Sequence, residues 1–273
     1  MNRIIVAIAF SLVPLVSLGA GDGAPPMSAN TNIANQTSLQ SGARVFVNYC
    51  MGCHSMEFMR YSRMAEDIGL DPDLVAEHLM FNTDKIGDPM TIAMRADDAS
   101  GWFGVPPPDL SVIARARGVD WLYTYLMTFY ADSNPARPFG VNNLMFPEVG
   151  MPHILWPLQG VQSYLKVERP ADVASEHIEK IEPDDKGLRL QTAITTKNGE
   201  TIHVTDMLAV TIPGSMQPGE FRKTVRDLVN FLDYAGEPAQ LARFEMGYWV
   251  VIFLSVFALL ARALYKDFWR DVH

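Results

Sequence analysis

The sequence predicts a mainly α-helical fold, carrying a small β-hairpin insert and closed by one C-terminal transmembrane helix. Three observations predict it. From Ser38 onward, apolar residues recur three and four apart in several segments, the spacing of a helix face. Asn198-Gly199 stands between the runs 188–196 and 200–205, a strong short-range hairpin signal. Residues 244–265 are almost continuously apolar. At ~1.5 Å per residue, about 20 such residues cover the ~30 Å hydrocarbon core of a bilayer.

The N-terminus reads as a secretory signal over residues 1–20. Arg3 supplies the charge, residues 4–18 the apolar core, and Ser17, Gly19 and Ala20 the small residues of a cleavage site. The alternative is an uncleaved anchor, for which the apolar run is short of the ~20 residues a span needs. Residues 21–37, rich in Gly, Pro, Ser, Ala and Asn, read as a flexible leader. Ser38 is a candidate N-cap for a helix bearing Val45, Phe46, Tyr49 and Cys50. A short helix is expected over 71–81, and residues 85–100 have no clear period. Pro106-Pro107-Pro108 force an extended segment, suited to wall a flat apolar group or to serve as a stiff linker. Helices are expected from Asp109 or Ser111 to Arg117 and over 120–130. Residues 142–156 are too apolar for a solvated loop, yet their prolines and Gly150 forbid a long helix.

Residues 167–210 are a more polar insert holding the hairpin, with His177 and His203 facing solvent. Residues 218–234 form an amphipathic helix opened by Pro218, with Phe221, Val225, Leu228 and Leu232 on one side. The apolar segment follows, with Tyr248, Trp249, Tyr265 and Trp269 as interfacial anchors. Arg262, Lys266 and Arg270 follow its run from Trp249 to Leu260, against Arg243 before it, which places the C-terminus in the cytoplasm. The formal net charge of −9 argues against nucleic acid and suits a basic partner, although ordinary solubility charge explains it as well.

The chemistry centres on Cys50-Met51-Gly52-Cys53-His54, which uses both cysteines of the chain. Cys-x-x-Cys-His is the attachment pattern of a c-type haem. Residues three and four apart share a helix face, so both thiols can reach the two vinyl groups while His54 reaches the iron. A thioredoxin-like pair would need a βαβ setting, and structural zinc a second ligand pair; neither is visible. Attachment of this haem outside the cytoplasm agrees with the export signal. Met151 is the one methionine followed directly by proline, which holds it extended and aims its thioether. A thioether sixth ligand raises the potential of an electron-transfer haem. His153 competes for that position, and 13 of the 15 methionines lie from Met51 onward, many of them ordinary core filler.

Taken together these residues resemble cytochrome c1, the haem subunit of ubiquinol–cytochrome c reductase. Four matches in order carry the resemblance, from about Ser38 to the end of the chain. They are the helix into Cys50-x-x-Cys53-His54; Pro107-Pro108-Asp109-Leu110-Ser111 with Arg117; Gly150-Met151-Pro152; and Asp227 to Leu232 with Glu237-Pro238 before the C-terminal span. The resemblance implies a cytochrome c-type haem domain with one covalent haem c, Cys50 and Cys53 holding it, His54 and Met151 as iron ligands and Arg117 on a propionate. From the residues alone Arg115 is as good a cation as Arg117. Trp102-Phe103-Gly104 is bulkier than the family pattern, and proline follows Met151 at once where members often have a spacer.

The resemblance further implies a subunit that takes an electron from the Rieske iron–sulfur protein and passes it to a soluble or tethered cytochrome c. Cytochrome b would be the other neighbour, with no bond made or broken by this chain. The corresponding organisation is a haem domain over 38–240 in the periplasm, an anchor over 241–265 in the bacterial inner membrane and a cytoplasmic tail over 266–273. Two other classes remain: a free tethered cytochrome feeding an oxidase or peroxidase, and a haem-based sensor with an open sixth position.

Overall fold

In the computed structural model, which describes residues 24–270, the chain enters along the surface of a long helix. The signal peptide expected over 1–20 and the last three residues of the expected tail lie outside the described residues. The leader expected to be flexible is tied down from Met27. Met27 N–H donates to Thr124 Oγ1 (2.7 Å), Ala29 N–H to Asp120 Oδ1 (2.7 Å) and Asn32 N–H to Asn230 Oδ1 (2.8 Å). Its polar composition hid this, because the bonds run from its backbone.

Helix α1 (Gln36–Val45) starts at Asn35, whose side chain accepts from Ser38 N–H; the Ser38 hydroxyl instead donates to Asp227 Oδ1 at 2.6 Å. A wider π turn (Phe46–Cys50) continues it. Strand β1 (Met56–Arg60) follows, then α2 (Tyr61–Ile68) and α3 (Pro72–His78), the latter capped by Asp71. Strand β2 (Pro89–Met90) pairs antiparallel with β1, and α4 (Ala96–Phe103) precedes the prolines. Next come α5 (Ile113–Arg117), α6 (Val119–Met127), β3 (Phe129–Ala131), β4 (Val141–Asn143) and the single turn α7 (Trp156–Gln159). Strands β5 (Gly160–Leu165), β6 (Val173–Asp184), β7 (Gly187–Thr196) and β8 (Thr201–Pro213) lead into α8 (Pro218–Gly236) and α9 (Gln240–Phe268).

The expectation of a mainly α fold is wrong. A six-stranded sheet, in the order β4-β3-β5-β8-β7-β6, stands beside the helices. The hairpin at Asn198-Gly199 exists, with Gly199 at φ 82°, but it is the centre of a larger structure. Strand β8 reaches past it to pair with β5, and β6 extends the sheet on the other side. Strands β3 and β5 run parallel, at Ala131 and Ser163. Three features concealed the sheet. The strands β3, β4 and β5 are short and lie in apolar runs that a helix shares. Residues 128–130, expected to end a helix, leave it at Thr128. Strand β6 is an exposed, charged edge without alternation, held by its pairing to β7 rather than by a buried face of its own.

The core joins both halves. On α8 a capping box formed by Gln217 and Glu220, with Pro218 in the first turn, sets the start, and Phe221, Val225, Leu228, Phe231 and Leu232 are buried. Leu188, Leu190 and Leu208 of the sheet belong to the same apolar cluster as Phe221. On the other flank α1 crosses α8 at Gly42, where a Cβ would stand 2.6 Å from Phe231 Cβ. Phe46 packs on Phe231 with ring centroids 5.7 Å apart. That crossing fixes the end of α1, and with it the Cys50 turn.

In the insert, Arg169 clamps the β5–β6 connection to β8. Its Nη1 and Nη2 donate to the two oxygens of buried Asp206 at 3.0 and 2.5 Å, and Thr192 Oγ1 donates at 3.0 Å. Helix α9 is 29 residues long, its most apolar 18-residue stretch has mean hydropathy 2.0, and none of it is buried. It is long and apolar enough to cross a membrane, and its full exposure sets it apart from a core helix.

Candidate haem site

The attachment motif is the last turn after α1. Cys53 and His54 N–H both donate to the Cys50 carbonyl, at 3.0 and 2.9 Å, which keeps the five residues wound as a helix end. Cys50 is buried, Cys53 half-buried, and both are free thiols. Burial pushes the Cys50 thiol up to about 12, with the neighbouring Cys53 adding to the shift.

His54 is oriented by the proline segment. Its Nδ1 lies 2.7 Å from the Pro108 carbonyl oxygen. A carbonyl only accepts, so Nδ1 carries the proton and Nε2 keeps its lone pair for a metal. Burial lowers the pKa of the ring, opposed by the Pro108 bond and by Asp109. The next residues are stitched to the motif strand. Leu110 N–H donates to Ser55 O (2.8 Å), Glu57 N–H to Asp109 Oδ2 (2.9 Å) and Phe58 N–H to Ser111 Oγ (3.1 Å). Asp109 also accepts from Ser111 N–H at 2.8 Å, closing an Asx turn that opens the way to α5. Sequence reading offered the prolines as a wall or a linker. Their carbonyl as the orienting partner of His54 was not legible, because that contact is made by backbone.

From α5 a ladder of side chains runs at helical spacing. Arg117 lies over the Trp121 ring at 5.2 Å. Trp121 stacks on Tyr125 with centroids 5.0 Å apart and planes 9° from parallel. The Tyr125 hydroxyl donates to Met151 Sδ at 3.3 Å. Burial raises the ionisation of this phenol well above its ordinary range, so it stays a donor. The same ladder therefore links Arg117 and Met151, two residues that sequence reading selected separately.

The local competitors are engaged elsewhere. Arg115 Nη1 is bonded to Glu237 Oε2 at 2.5 Å, and Arg243 Nε holds Oε1 of the same carboxylate at 2.6 Å. Arg117 has no carboxylate partner among the described residues. His153 is buried and lies flat on Phe129, centroids 5.0 Å apart and planes at 5°. Burial pushes its pKa down to about 4. His177 and His203 are exposed and share Glu179, the second at 3.1 Å from Nδ1. Among the described residues no three His, Cys, Asp or Glu side chains are grouped to hold a metal ion. The donors suit a different centre. Two thiols at the attachment spacing beside an imidazole whose Nε2 is free fit the attachment and ligation of a covalent haem.

These donors suit a c-type haem protein, and comparison with known proteins narrows the class. Residues 27–165 and 196–272 match the Cytochrome C1 family. Cytochrome c1 of Allochromatium vinosum is 43% identical over 273 residues, covering all of both chains. The gamma subunit of ammonia monooxygenase of Nitrosomonas europaea is 41% identical over 266 residues, 97% of each chain. Cytochrome c1 of Rhodospirillum rubrum is 27% identical, over 87% of this chain and 83% of that one. The chain belongs to the cytochrome c1 family. It is therefore a membrane-anchored electron-transport subunit of a bc1-type complex, and the family carries covalently bound c-type haem. Between the two matched stretches lie residues 166–195, which are the β5–β6 connection, β6 and nearly all of β7.

Proposed function

We propose that this chain holds one haem, attached through Cys50 and Cys53, between His54 Nε2 and Met151 Sδ, with Arg117 paired to a propionate. Bound haem supplies a one-electron iron couple. The observation that carries the reading is His54, whose Nδ1 is occupied by the Pro108 carbonyl (2.7 Å) so that Nε2 is left for iron beside two free thiols. Met151 sets the potential toward the high range expected of a thioether ligand. Arg117 balances propionate charge, with Arg115 already committed to Glu237. None of these residues needs to move a proton or form a bond to substrate.

The donor would be the Rieske iron–sulfur subunit of the same complex, with cytochrome b alongside, and the acceptor a cytochrome c. The haem domain, residues 38–240, would stand in the periplasm, α9 would span the inner membrane over 241–265, and residues 266–273 would be cytoplasmic. The cations Lys266 and Arg270 beyond the span support that direction. The net charge of −9 supports steering of a basic cytochrome c.

The test is quinol-driven reduction of a basic soluble cytochrome c by the complex purified in mild detergent. The second-order rate should fall as ionic strength rises. A rate indifferent to salt removes the steering, and failure of quinol to reduce the c-type haem removes the reductase assignment. The relative named as an ammonia monooxygenase subunit suggests a second reading, a place in an oxygenase complex. Isolation without b-type haem would favour it.

A further inference from the structure

Tyr125 has one side-chain hydrogen bond, and it goes to a thioether. Its ring is held on both sides, stacked on Trp121 at 5.0 Å and edge-on to Phe129 at 5.1 Å and 71°. Its backbone is held too, since Asn143 Nδ2 donates to the Tyr125 carbonyl at 2.7 Å. The hydroxyl therefore has little freedom to point elsewhere than at Met151 Sδ, 3.3 Å away. Sulphur is a weak acceptor. A half-buried phenol given a thioether as its partner, on a ring this firmly placed, reads as aimed.

We propose that Tyr125 is a positioning residue for the distal iron ligand: it holds one sulphur lone pair of Met151, leaves the other for iron, and thereby raises the reduction potential. The proposal rests on the reading of Met151 as that ligand. A donor on the sulphur withdraws electron density that oxidised iron needs more than reduced iron does. The positive end of the O–H dipole also points toward the site, which disfavours the higher charge. Both effects favour the reduced state. Removing the hydroxyl should therefore lower the potential and, with nothing left to hold the direction of the sulphur, let Met151 leave the iron more readily.

Tyr125→Phe deletes only the oxygen and keeps the ring in its stack. It should be compared with wild type, Met151→Leu and the double variant, each purified with its membrane anchor and checked for covalent haem. The readouts are the midpoint potential and carbon monoxide binding to the reduced protein. In the wild-type background the ratio of reduced to oxidised protein at fixed poise should fall about threefold. That is about 28 mV, at 59 mV per tenfold for one electron. Carbon monoxide binding should rise. In the Met151→Leu background the further change should vanish, because the partner is gone. If Met151→Leu moves the potential and Tyr125→Phe does not, the proposal is overturned while the ligand reading stands. If the Tyr125→Phe shift is the same in both backgrounds, it acts through packing and the proposal is again overturned. If neither single variant moves the potential, Met151 is not the ligand and both fall.

Discussion

Gly42→Ala should part α1 from α8 and loosen the turn that carries Cys50. An ideal Cβ at Gly42 stands 2.6 Å from Phe231 Cβ and 2.8 Å from the Asp227 carbonyl carbon, and it runs into the Asp227 carbonyl oxygen. Carbon atoms in ordinary contact are ~3.5–4.0 Å apart, so the helices have to separate by about 1 Å here. The obstacle is the backbone of the facing helix, which no rotamer change removes. Alanine gains ~1 kcal/mol over glycine inside a helix. Overpacking a tight seam costs ~1–3 kcal/mol. Phe46, one turn further on, also loses its seat on Phe231. The net loss should be about 1–2 kcal/mol, which for a domain of this size lowers Tm by ~2–8 °C. Thermal unfolding of the haem-loaded protein in detergent, followed at the haem band, measures it. Gly101→Ala in α4 is the control, since a Cβ there meets nothing within 4 Å, and it should be neutral or slightly stabilising. A Gly42→Ala protein as stable as wild type would refute the close crossing of α1 and α8.

Other outcomes follow from the same geometry. Arg117→Leu should lower the midpoint potential by removing a cation near the iron, while Arg115→Leu should move it less; equal shifts in a potentiometric titration would contradict the assignment of Arg117. Arg169→Ala leaves the buried Asp206 carboxylate without its guanidinium, which should cost ~3–5 kcal/mol in denaturant unfolding of the insert, whereas Asp206→Asn with Arg169→Met together should recover much of the loss. Burial raises the Asp206 pKa, but Arg169, the Val167 N–H and Thr192 outweigh it and hold the carboxyl below its ordinary 3.8. Its contribution is therefore full above that value and lost as pH falls through the lowered one, so a wild-type melting temperature that declines below about pH 4 should decline less in Asp206→Asn. Glu237→Gln weakens the two-arginine clamp between α5 and the start of α9, and spin labels on α9 and the haem domain should then report a broader distance distribution than wild type.

What was legible in the sequence is what covalent chemistry and helical period write there. Cys50, Cys53 and His54 fall within five consecutive residues, α8 shows its face in Phe221, Val225, Leu228 and Leu232, and α9 announces itself by length. The sheet was not legible, because its register depends on partners far along the chain. Ala131 pairs with Ser163, and Val161 with Ile212. Strand β6 offers an exposed face and a charged edge, so neither alternation nor burial marks it. In the candidate site, Met151 stood out by its proline, but its hydrogen-bond donor did not. Tyr125 is one of nine tyrosines, and only the meeting of α6 with the 144–155 segment singles it out. Arg117 and Arg115 are equivalent as sequence. The ion pair with Glu237, more than a hundred residues away, separates them.

The central claim is that this chain works as the haem subunit of a quinol-oxidising complex. The most direct measurement is the reduced-minus-oxidised spectrum of the tagged chain, extracted from membranes in mild detergent and then exposed to a quinol. A c-type band accompanied by b-type haem, both reduced by the quinol, is the predicted result. A lone c-type band, with no b haem and no response to quinol, would contradict the account and leave a tethered cytochrome that works outside such a complex.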